Sequence, residues 1–362
     1  SSPAATTTTT TAAESTQEME LLDPTLEVFD FGPDVDVLLS YNETVHGAVY
    51  DGVGVHDQTG LMLWPEAHLM CDFLTRLHSC WVRTGPSSAT QEGCDLPVVP
   101  VELGSGSGLC GLLASKVFGR CILTDRSPPI LDLLRRNQEQ QRGRATAEVV
   151  EVSWGDMRSQ ERLQSTLSDL DPDSQGRAHI LLAAAVVYPS KDDSTIHALL
   201  RTVDAVLASS PDPRVESLPE PLHSLFAVPT FVCSYLSRNS QTTKRFFNLL
   251  FDYNFLCSAL DLDSTLGCVL PERRNQEEFF SRHAGSQLLL IRRRPYQDAA
   301  SPADRRREAR LSAHAVFPEL SGRWVKPSLR DIEGGDESSW ASSSSDESWV
   351  APGWSSSEGD QD

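Results

Sequence analysis

Three glycines spaced one residue apart dominate the chemistry that this sequence could carry. Gly104, Gly106 and Gly108 stand between a β-branched run, 98–101, and an apolar helical pattern, 109–118. The order strand, glycine turn, helix lets a backbone approach a ligand closely and directs the free N–H groups of the helix start towards it. A tight structural turn uses glycine for the same conformational reason, so the triplet alone leaves both interpretations open.

The glycine spacing argues against a nicotinamide-dependent oxidoreductase. The dinucleotide-binding fingerprint Gly-x-Gly-x-x-Gly needs its third glycine at the position that Leu109 occupies. The spacing here is Gly-x-Gly-x-Gly, which departs from that fingerprint.

Three further residues stand where predicted strands end. Asp125 ends the second strand of the predicted sheet, Trp154 follows the third and Tyr188 ends the fourth. Open α/β sheets bind ligands at the carboxyl ends of their strands. An acid at Asp125 could accept both hydrogen bonds of a ribose diol, and the flat side chain of Trp154 could lie along a purine. Tyr188 would then face whatever meets that ligand.

Each of these residues also has an ordinary structural interpretation. Asp125 could cap the following helix, because both Asp125 and Ser127 precede Pro128. Trp154 could be a half-buried aromatic side chain, and Tyr188 a strand-end residue that closes the core. The sequence pattern does not decide between the two interpretations.

Strands and helices alternate over the middle of the chain, which predicts a Rossmann-like α/β fold. The near-continuous apolar run 179–188 is typical of a parallel strand that is covered on both faces. We predict a doubly wound, seven-stranded, mostly parallel sheet with one late antiparallel strand, and short N-terminal strands between residues 26 and 55. The predicted strands are 98–103, 121–125, 147–152, 179–188, 230–236, one from 255, and 287–292. The predicted helices include 69–77, 109–118, 130–139, 193–208 and 243–250.

Composition divides the chain into four segments. Residues 1–24 are Ser/Thr-rich and predicted to be disordered, and 25–294 form the α/β domain. Residues 295–330 are a basic, partly ordered extension, and we expect its arginines and Arg292–Arg294 to be a solvated surface or helix, with a nuclear signal as the alternative. Residues 331–362 hold nine acidic residues and no Lys or Arg, which predicts a disordered acidic tail. Its spaced tryptophans could anchor a protein partner.

Charge and cysteine usage restrict the partners and the compartment. The net charge of −20 argues against a nucleic-acid-binding surface. The eight cysteines lack metal-site spacing, which predicts buried thiols in a reducing compartment, with neither disulfides nor a zinc site. No apolar run has the length of a membrane span. We therefore expect a soluble monomer in the cytoplasm, with the nucleus as the alternative, and no membrane partner.

Four groups of residues together resemble the class I S-adenosylmethionine-dependent methyltransferases. They are 102–109, Thr124-Asp125, Trp154-Gly155 and 183–188. Trp64-Pro65, Trp154-Gly155 and Tyr235-x-x-Arg238 together narrow the resemblance to methyltransferase family sixteen, the protein lysine methyltransferase group. Further marks that support it are Gly60 four residues before Trp64, Asn137, and Arg245-Phe246-Phe247-x-x-Leu250. The resemblance covers about residues 35–294 and implies the class I methyltransferase fold, S-adenosylmethionine as cofactor and a lysine-bearing protein as substrate.

The resemblance also implies a role for each matched residue. The cofactor-binding residues would be Trp64, Glu102, Gly104, Ser105, Gly106, Asp125, Trp154 and Ala184. The glycine loop would pass under the methionine part of the cofactor, and Asp125 would hold the ribose. Trp154 and Ala184 would flank the adenosine, while Trp64 would close over the sulfonium side. Glu102 would anchor the loop or the amino group of the cofactor.

One position departs from the family pattern. The family has an acid at the first place of an Asp-x-x-Tyr motif, where this chain has Ala185, while Tyr188, the predicted catalytic residue, is kept. Asp192 or Asp193 could supply a carboxylate from the following loop. The departure leaves open a catalytically degenerate methyltransferase fold that binds a partner. A small-molecule methyltransferase also stays open, because acceptor choice lies in the loops.

Overall fold

The computed structural model describes six ranges of the chain: 25–31, 35–42, 59–85, 96–188, 193–266 and 285–294. All of them belong to one compact unit, residues 1–320. The predicted disordered segment 1–24, the extension 295–330 and the acidic tail 331–362 lie outside the described residues. Their predicted character therefore stays a prediction.

The described residues form nine strands and eight α-helices. The strands are β1 (Thr25–Asp30), β2 (Asp36–Tyr41), β3 (Val101–Leu103), β4 (Arg120–Asp125), β5 (Thr146–Glu151), β6 (Ile180–Ala184), β7 (Thr230–Leu236), β8 (Phe255–Ala259) and β9 (Ser286–Arg293). The helices are α1 (Pro65–Thr84), α2 (Leu109–Phe118), α3 (Pro128–Glu139), α4 (Met157–Leu170), α5 (Ser194–Val206), α6 (Leu222–Phe226), α7 (Ser240–Asp252) and α8 (Leu262–Leu266).

Seven strands form one sheet in the order β5-β4-β3-β6-β7-β9-β8. The pairs from β5 to β7 are all parallel, and β9 runs antiparallel to both of its neighbours. The predicted doubly wound, mostly parallel sheet with one antiparallel strand is therefore confirmed. The strand order changes direction at β3, between β4 and β6, and a ligand is expected outside the carboxyl ends of these strands.

The centre of the sheet is built from strands that are buried on both faces. Val101, Leu181 and Phe231 are neighbours across β3, β6 and β7, and each is fully buried. Parallel strands need this continuous apolar character because helices cover both faces of such a sheet. The central strands thus form a rigid base for the residues that follow them.

The predicted apolar face of the first long helix is buried. Pro65 starts α1, where its missing N–H costs no helical hydrogen bond. The buried residues of this face are Leu69, Met70, Phe73, Leu74 and Leu77. The helix packs against α2, so the residues before Pro65 are held close to the glycine loop that precedes α2.

The N-terminal extension is an antiparallel hairpin of β1 and β2, as predicted for its first part. The side chain of Asn137 on α3 ties this hairpin to the glycine loop. Its Oδ1 accepts from the backbone N–H of Ser40 at 2.9 Å, and its Nδ2 donates to the carbonyls of Ser40 at 2.9 Å and Ser107 at 2.8 Å. The fully buried amide therefore connects β2, α3 and the loop.

Two sequence predictions are wrong in detail. The fourth strand ends at Ala184 rather than at residue 188, because Ala185 has a left-handed φ of 58° that an extended strand does not allow. Arg292 and Arg294 are not a solvated surface. Arg292 donates to the carbonyl of Leu225 at 2.7 Å, and Arg294 is buried with its guanidinium 6.0 Å from the ring of Phe251.

The six described cysteines are all buried and free, and the reducing compartment stays a prediction. Cys94 and Cys268 lie outside the described residues. Within the described ranges, no group of His, Cys, Asp and Glu side chains could hold a metal ion. None of the described helices combines the length and the apolar character that crossing a bilayer requires.

Candidate active site

A cavity of about 610 Å³ lies at the carboxyl ends of β3, β4, β5 and β6, where the strand order changes direction. Its size is within the usual range for sites that hold a small molecule or cofactor. All nine predicted site residues line it: Trp64, Glu102, Gly104, Ser105, Gly106, Asp125, Trp154, Ala184 and Tyr188. The fold therefore brings together residues that are up to 124 positions apart in the chain, the span from Trp64 to Tyr188. Their individual roles stay predictions.

The glycine loop needs its glycines for both conformation and space. Gly104 has a φ of 71° and Gly106 a φ of 54°, which is the left-handed region that side chains disfavour. A Cβ on Gly104 would lie 3.0 Å from the ring of Trp154, and one on Gly106 would lie 2.8 Å from the carbonyl oxygen of Gly60. Trp154 and Gly60 thus lie so close to this loop that only glycine leaves room for them.

Backbone and hydroxyl groups fasten the glycine loop to β4. The N–H of Ser105 donates to the carbonyl of Thr124 at 2.7 Å, and the N–H of Thr124 donates to Oγ of Ser105 at 3.0 Å. The hydroxyl of Thr124 donates to the carbonyl of Glu102 at 2.7 Å. These three bonds fix the loop before any ligand binds, so little ordering entropy is lost on binding.

Asp125 lies in the cavity wall and accepts three backbone hydrogen bonds around the start of α3. Its carboxylate accepts from the backbone N–H groups of Gly106 at 3.2 Å, Arg126 at 2.7 Å and Ser127 at 3.2 Å. The bond to Ser127 supports the start of α3, and the same carboxylate lines the cavity. Burial raises the pKa of Asp125, although these three hydrogen bonds act in the opposite direction.

Glu102 is a buried acid beneath the glycine loop, with 2% of its surface exposed. Burial raises the pKa of Glu102 to about 7, against the opposing hydrogen bonds from Ser105 and Gly111. Its Oε2 atom has no hydrogen-bond partner among the described residues. This atom faces α2, since a Cβ added to Gly111 would lie 2.5 Å from it.

Two tryptophans border the cavity from different elements. Trp154 follows β5, and the next residue, Gly155, has a φ of 76° and donates its N–H to the hydroxyl of Thr202 at 2.8 Å. Trp64 precedes α1, and its Nε1 donates to the carbonyl of Thr59 at 2.9 Å. Both indoles are half-buried, so each also fits the ordinary structural interpretation. The binding role rests on their position in the cavity wall.

The segment after β6 carries the departure from the family pattern. Ala185 lines the cavity and its N–H donates to the carbonyl of Ser234 at 3.3 Å. Asp192 lies outside the described residues. Asp193 is described, but it pairs with Arg245 at 3.4 Å and is not part of the cavity wall. Among the described residues, the carboxylates of the cavity are therefore those of Glu102 and Asp125.

Sequence reasoning missed the contribution of α5 to this site. Ser194, Thr195, Ala198 and Arg201 line the cavity beside the predicted residues. The available signal was topological, because a helix that follows the fourth strand must begin at the same edge of the sheet. It also missed Glu66, which is fully buried in the first turn of α1 and pairs with Arg238.

Comparison with known proteins identifies relatives of part of the chain. Residues 53–218, a little under half of the chain, match the family described as lysine methyltransferase. Protein N-lysine methyltransferase METTL21A of Danio rerio is 33% identical over 107 residues, which cover 29% of this chain and 42% of that protein. The chain thus spans less than half the length of the curated relative that it matches. The predicted resemblance to this family is confirmed over the matched residues.

Similar solved structures are methyltransferases by their titles. The human methyltransferase-like protein 13 in complex with SAH covers 76% of this chain and 96% of its own, at 12% identity and a TM-score of 0.34. A TehB-like SAM-dependent methyltransferase from Corynebacterium glutamicum covers 66% and 91%, at 13% identity and a TM-score of 0.33. The fold assignment above depends on strand order and direction, not on these scores.

Proposed function

We propose that this chain, whose residues 53–218 match the lysine methyltransferase family, is an S-adenosylmethionine-dependent methyltransferase that acts on a lysine side chain of a protein. The observation that carries the proposal is that all nine residues predicted from the sequence line one cavity at the change of strand direction. Trp64 precedes α1 and follows no strand of the sheet, yet it lines the same cavity as the strand-end residues.

The residues present fit the proposed cofactor. Gly104 and Gly106 line the cavity with bare backbone, and Trp154 and Gly60 occupy the space that a Cβ at these positions would need. The carboxylate of Asp125 would accept from the ribose hydroxyls, and the carboxyl of Glu102, which lines the cavity, would accept from the ammonium group. Trp154 would lie beside the adenine. These donors and acceptors match a zwitterionic nucleoside better than a phosphate-bearing dinucleotide.

When bound, S-adenosylmethionine supplies a methyl group activated by a sulfonium centre. The chain would contribute mainly by orienting the reactants, which can account for a large part of the rate of such a displacement. An acceptor amine needs its lone pair, so a lysine must reach the site in its neutral form. Tyr188, at the cavity wall beyond β6, would orient this amine through its hydroxyl group.

One observation favours a second candidate function. Ala185 removes the acid that the family pattern has beside the acceptor, and the described cavity holds no carboxylate from the segment after β6. A protein that binds the cofactor without turnover, and uses the fold to bind a partner, would need no such acid. This alternative keeps the cofactor site and abandons only the methyl transfer.

A labelling experiment separates the two candidates. The full chain is incubated with a cell lysate and S-adenosylmethionine carrying a radioactive methyl group. The labelled proteins are then hydrolysed to amino acids. We expect labelled methyl-lysine that depends on Asp125. Label in another amino acid would contradict the lysine assignment. Cofactor binding without any label in protein would support the binding module or a small-molecule methyltransferase instead.

The compartment is also a proposal. We propose that the protein works in the cytoplasm, which the six buried and unpaired cysteines support, since free thiols persist in reducing compartments. Fractionation of cells that express the tagged full chain would test this. Recovery from a secretory fraction would contradict it.

A further inference from the structure

Arg238 contacts the cavity wall without lining the cavity itself. It follows β7, and its guanidinium carbon lies 5.1 Å from the centroid of the Trp64 ring. A cation over the face of an indole is attracted by the negative potential of the ring. Trp64 lines the cavity and Arg238 does not, so Arg238 can influence a ligand only through its neighbour.

Glu66 fixes the orientation of Arg238. Nη1 of Arg238 lies 2.6 Å from Oε1 of Glu66, and Nη2 donates to Oε2 at 2.8 Å. The carboxylate is fully buried in the first turn of α1, where it would be costly without a paired cation. The contact to Oε2 is a hydrogen bond, and the contact to Oε1 is an ion pair without hydrogen-bond geometry. Both terminal nitrogens of the guanidinium face the carboxylate, an arrangement that a lysine cannot reproduce. Glu66 therefore holds the Arg238 head group in place beside Trp64.

Trp64 is held in two places at once. The edge of its ring is fixed by the hydrogen bond from Nε1 to Thr59, and Arg238 covers one of its faces. The two partners come from parts of the chain that are far apart, the segment before α1 and the segment after β7. The indole is thereby oriented relative to the cavity more tightly than one hydrogen bond would allow.

We propose that Arg238 is a positioning residue that acts through Trp64: it holds the indole at the cavity wall, and Glu66 in turn holds Arg238. The effect of Arg238 on ligand affinity rests on the proposed function, because the ligand measured is the product form of the proposed cofactor. A purely structural role is the competing explanation, in which the ion pair only ties the end of β7 to the start of α1. The competing role predicts lower stability without any selective dependence on Trp64.

A double-mutant cycle distinguishes positioning from a structural role. S-adenosylhomocysteine is titrated into the full chain, Arg238→Met, Trp64→Ala and the double variant. We expect Arg238→Met to weaken binding by about five- to thirtyfold. In the Trp64→Ala background, the same substitution should have no further effect on affinity, because the ring through which it acts is gone. Equal effects in both backgrounds would overturn the proposal.

Two matched variants control for charge and folding. Arg135→Met removes an exposed arginine of α3 that pairs with Asp132, and it should leave the affinity unchanged. Arg238→Lys keeps a cation beside Glu66 and loses the planar fork. It should therefore stay folded even if Arg238→Met fails to fold. We expect a weaker affinity for Arg238→Lys than for wild type, again only when Trp64 is present. An affinity equal to that of wild type would contradict positioning by the guanidinium plane.

A measurement without ligand separates failure of this inference from failure of the proposed function. The contribution of Trp64 to fluorescence quenching by acrylamide is obtained by subtraction. The fluorescence of each protein carrying Trp64→Phe is subtracted from that of the same protein with Trp64. We expect Arg238→Met or Arg238→Lys to increase this quenching, because the covered ring face becomes accessible. Unchanged quenching would overturn the inference even if the cofactor binds. If the wild-type protein does not bind S-adenosylhomocysteine but the variants show increased quenching, the proposed cofactor is rejected and the positioning role of Arg238 is retained.

Discussion

The carboxylate of Asp125 accepts a hydrogen bond from the backbone N–H of Gly106, with 3.2 Å between the two atoms. This contact joins the end of β4 to the middle of the glycine loop, across 19 positions of sequence. The same carboxylate is therefore both a support for the loop and an acceptor at the cavity wall. Removing this carboxylate should therefore lower the ligand affinity first.

We expect Asp125→Ala to weaken S-adenosylhomocysteine binding by about 1–3 kcal/mol, because charge-assisted hydrogen bonds to the ribose are lost. Asp125→Asn keeps an acceptor oxygen and should lose less. Isothermal titration measures both, with Asp132→Asn on the exposed side of α3 as the control. Wild-type affinity in Asp125→Ala would remove this residue from the binding site.

Gly104→Ala should abolish most of the ligand affinity. Its Cβ would lie 3.0 Å from Trp154 and 3.1 Å from Val186, in a backbone conformation with a φ of 71°. Gly143→Ala is the matched control, since Gly143 has a φ of 97° but its Cβ would meet nothing closer than 3.8 Å. The left-handed conformation should cost each variant about 1 kcal/mol of stability, and Gly104→Ala should lose more because Trp154 and Val186 must shift. Equal ligand affinities in the two variants would mean that the loop is only a turn.

The buried acid Glu102 should make stability depend on pH. Its folded pKa of about 7 lies above its ordinary value of 4.5, so the folded state binds the proton more tightly than the unfolded state. This contribution is fully present below pH 4.5 and is lost as the pH rises through 7. The predicted loss is about 3 kcal/mol in the free energy of unfolding.

Urea unfolding of wild type and Glu102→Gln between pH 4.5 and 8 measures this contribution. The variant does not titrate at this position, so its stability should fall less over that interval. Parallel pH profiles for the two proteins would contradict the raised pKa.

Asn137→Ala should destabilise the domain by about 2–4 kcal/mol, since it leaves buried backbone groups of Ser40 and Ser107 without their partner. Gln141→Ala provides the comparison, because this half-buried side chain also reaches β2, through the carbonyl of Leu38. We expect a smaller loss for Gln141→Ala in thermal unfolding. A smaller loss for Asn137→Ala would mean that the hairpin is not fastened through this amide.

Ala185→Asp tests whether the missing acid matters. Aspartate tolerates the left-handed conformation of residue 185 better than most residues, so the variant should fold as stably as wild type. The proposed enzyme should transfer methyl groups at a similar rate with either residue. Activity that arises from an inactive wild type would instead identify a degenerate methyltransferase fold, and Ala185→Asn would show whether the charge is required.

The sequence predicted best what local pattern determines. The bounds of α2 agree with the predicted 109–118, because an apolar face and flanking glycines define both ends of this helix. The glycine loop and Asp125 were also found from their positions at strand ends. The end of β6 was misplaced, since the apolar run continues past Ala184 and hydrophobicity carries no information about the φ of Ala185.

Contacts between distant segments were not predictable from pattern alone. Trp64 was assigned to the site through the family resemblance, because nothing in its neighbourhood indicates which strand end it meets. Glu66 and Arg238 are 172 positions apart, and only the packing of α1 beside β7 brings them together. The burial of Arg294 beside Phe251 likewise depends on contacts between distant segments. A run of arginines by itself indicates solvent exposure.

Isothermal titration of the full chain with S-adenosylhomocysteine tests the central claim most directly, because it measures the cofactor site without knowledge of the acceptor. We predict saturable binding of one molecule per chain with a micromolar dissociation constant, and loss of this binding in Gly104→Ala. The absence of saturable binding by the folded wild-type protein would contradict the assignment of the cavity to this cofactor.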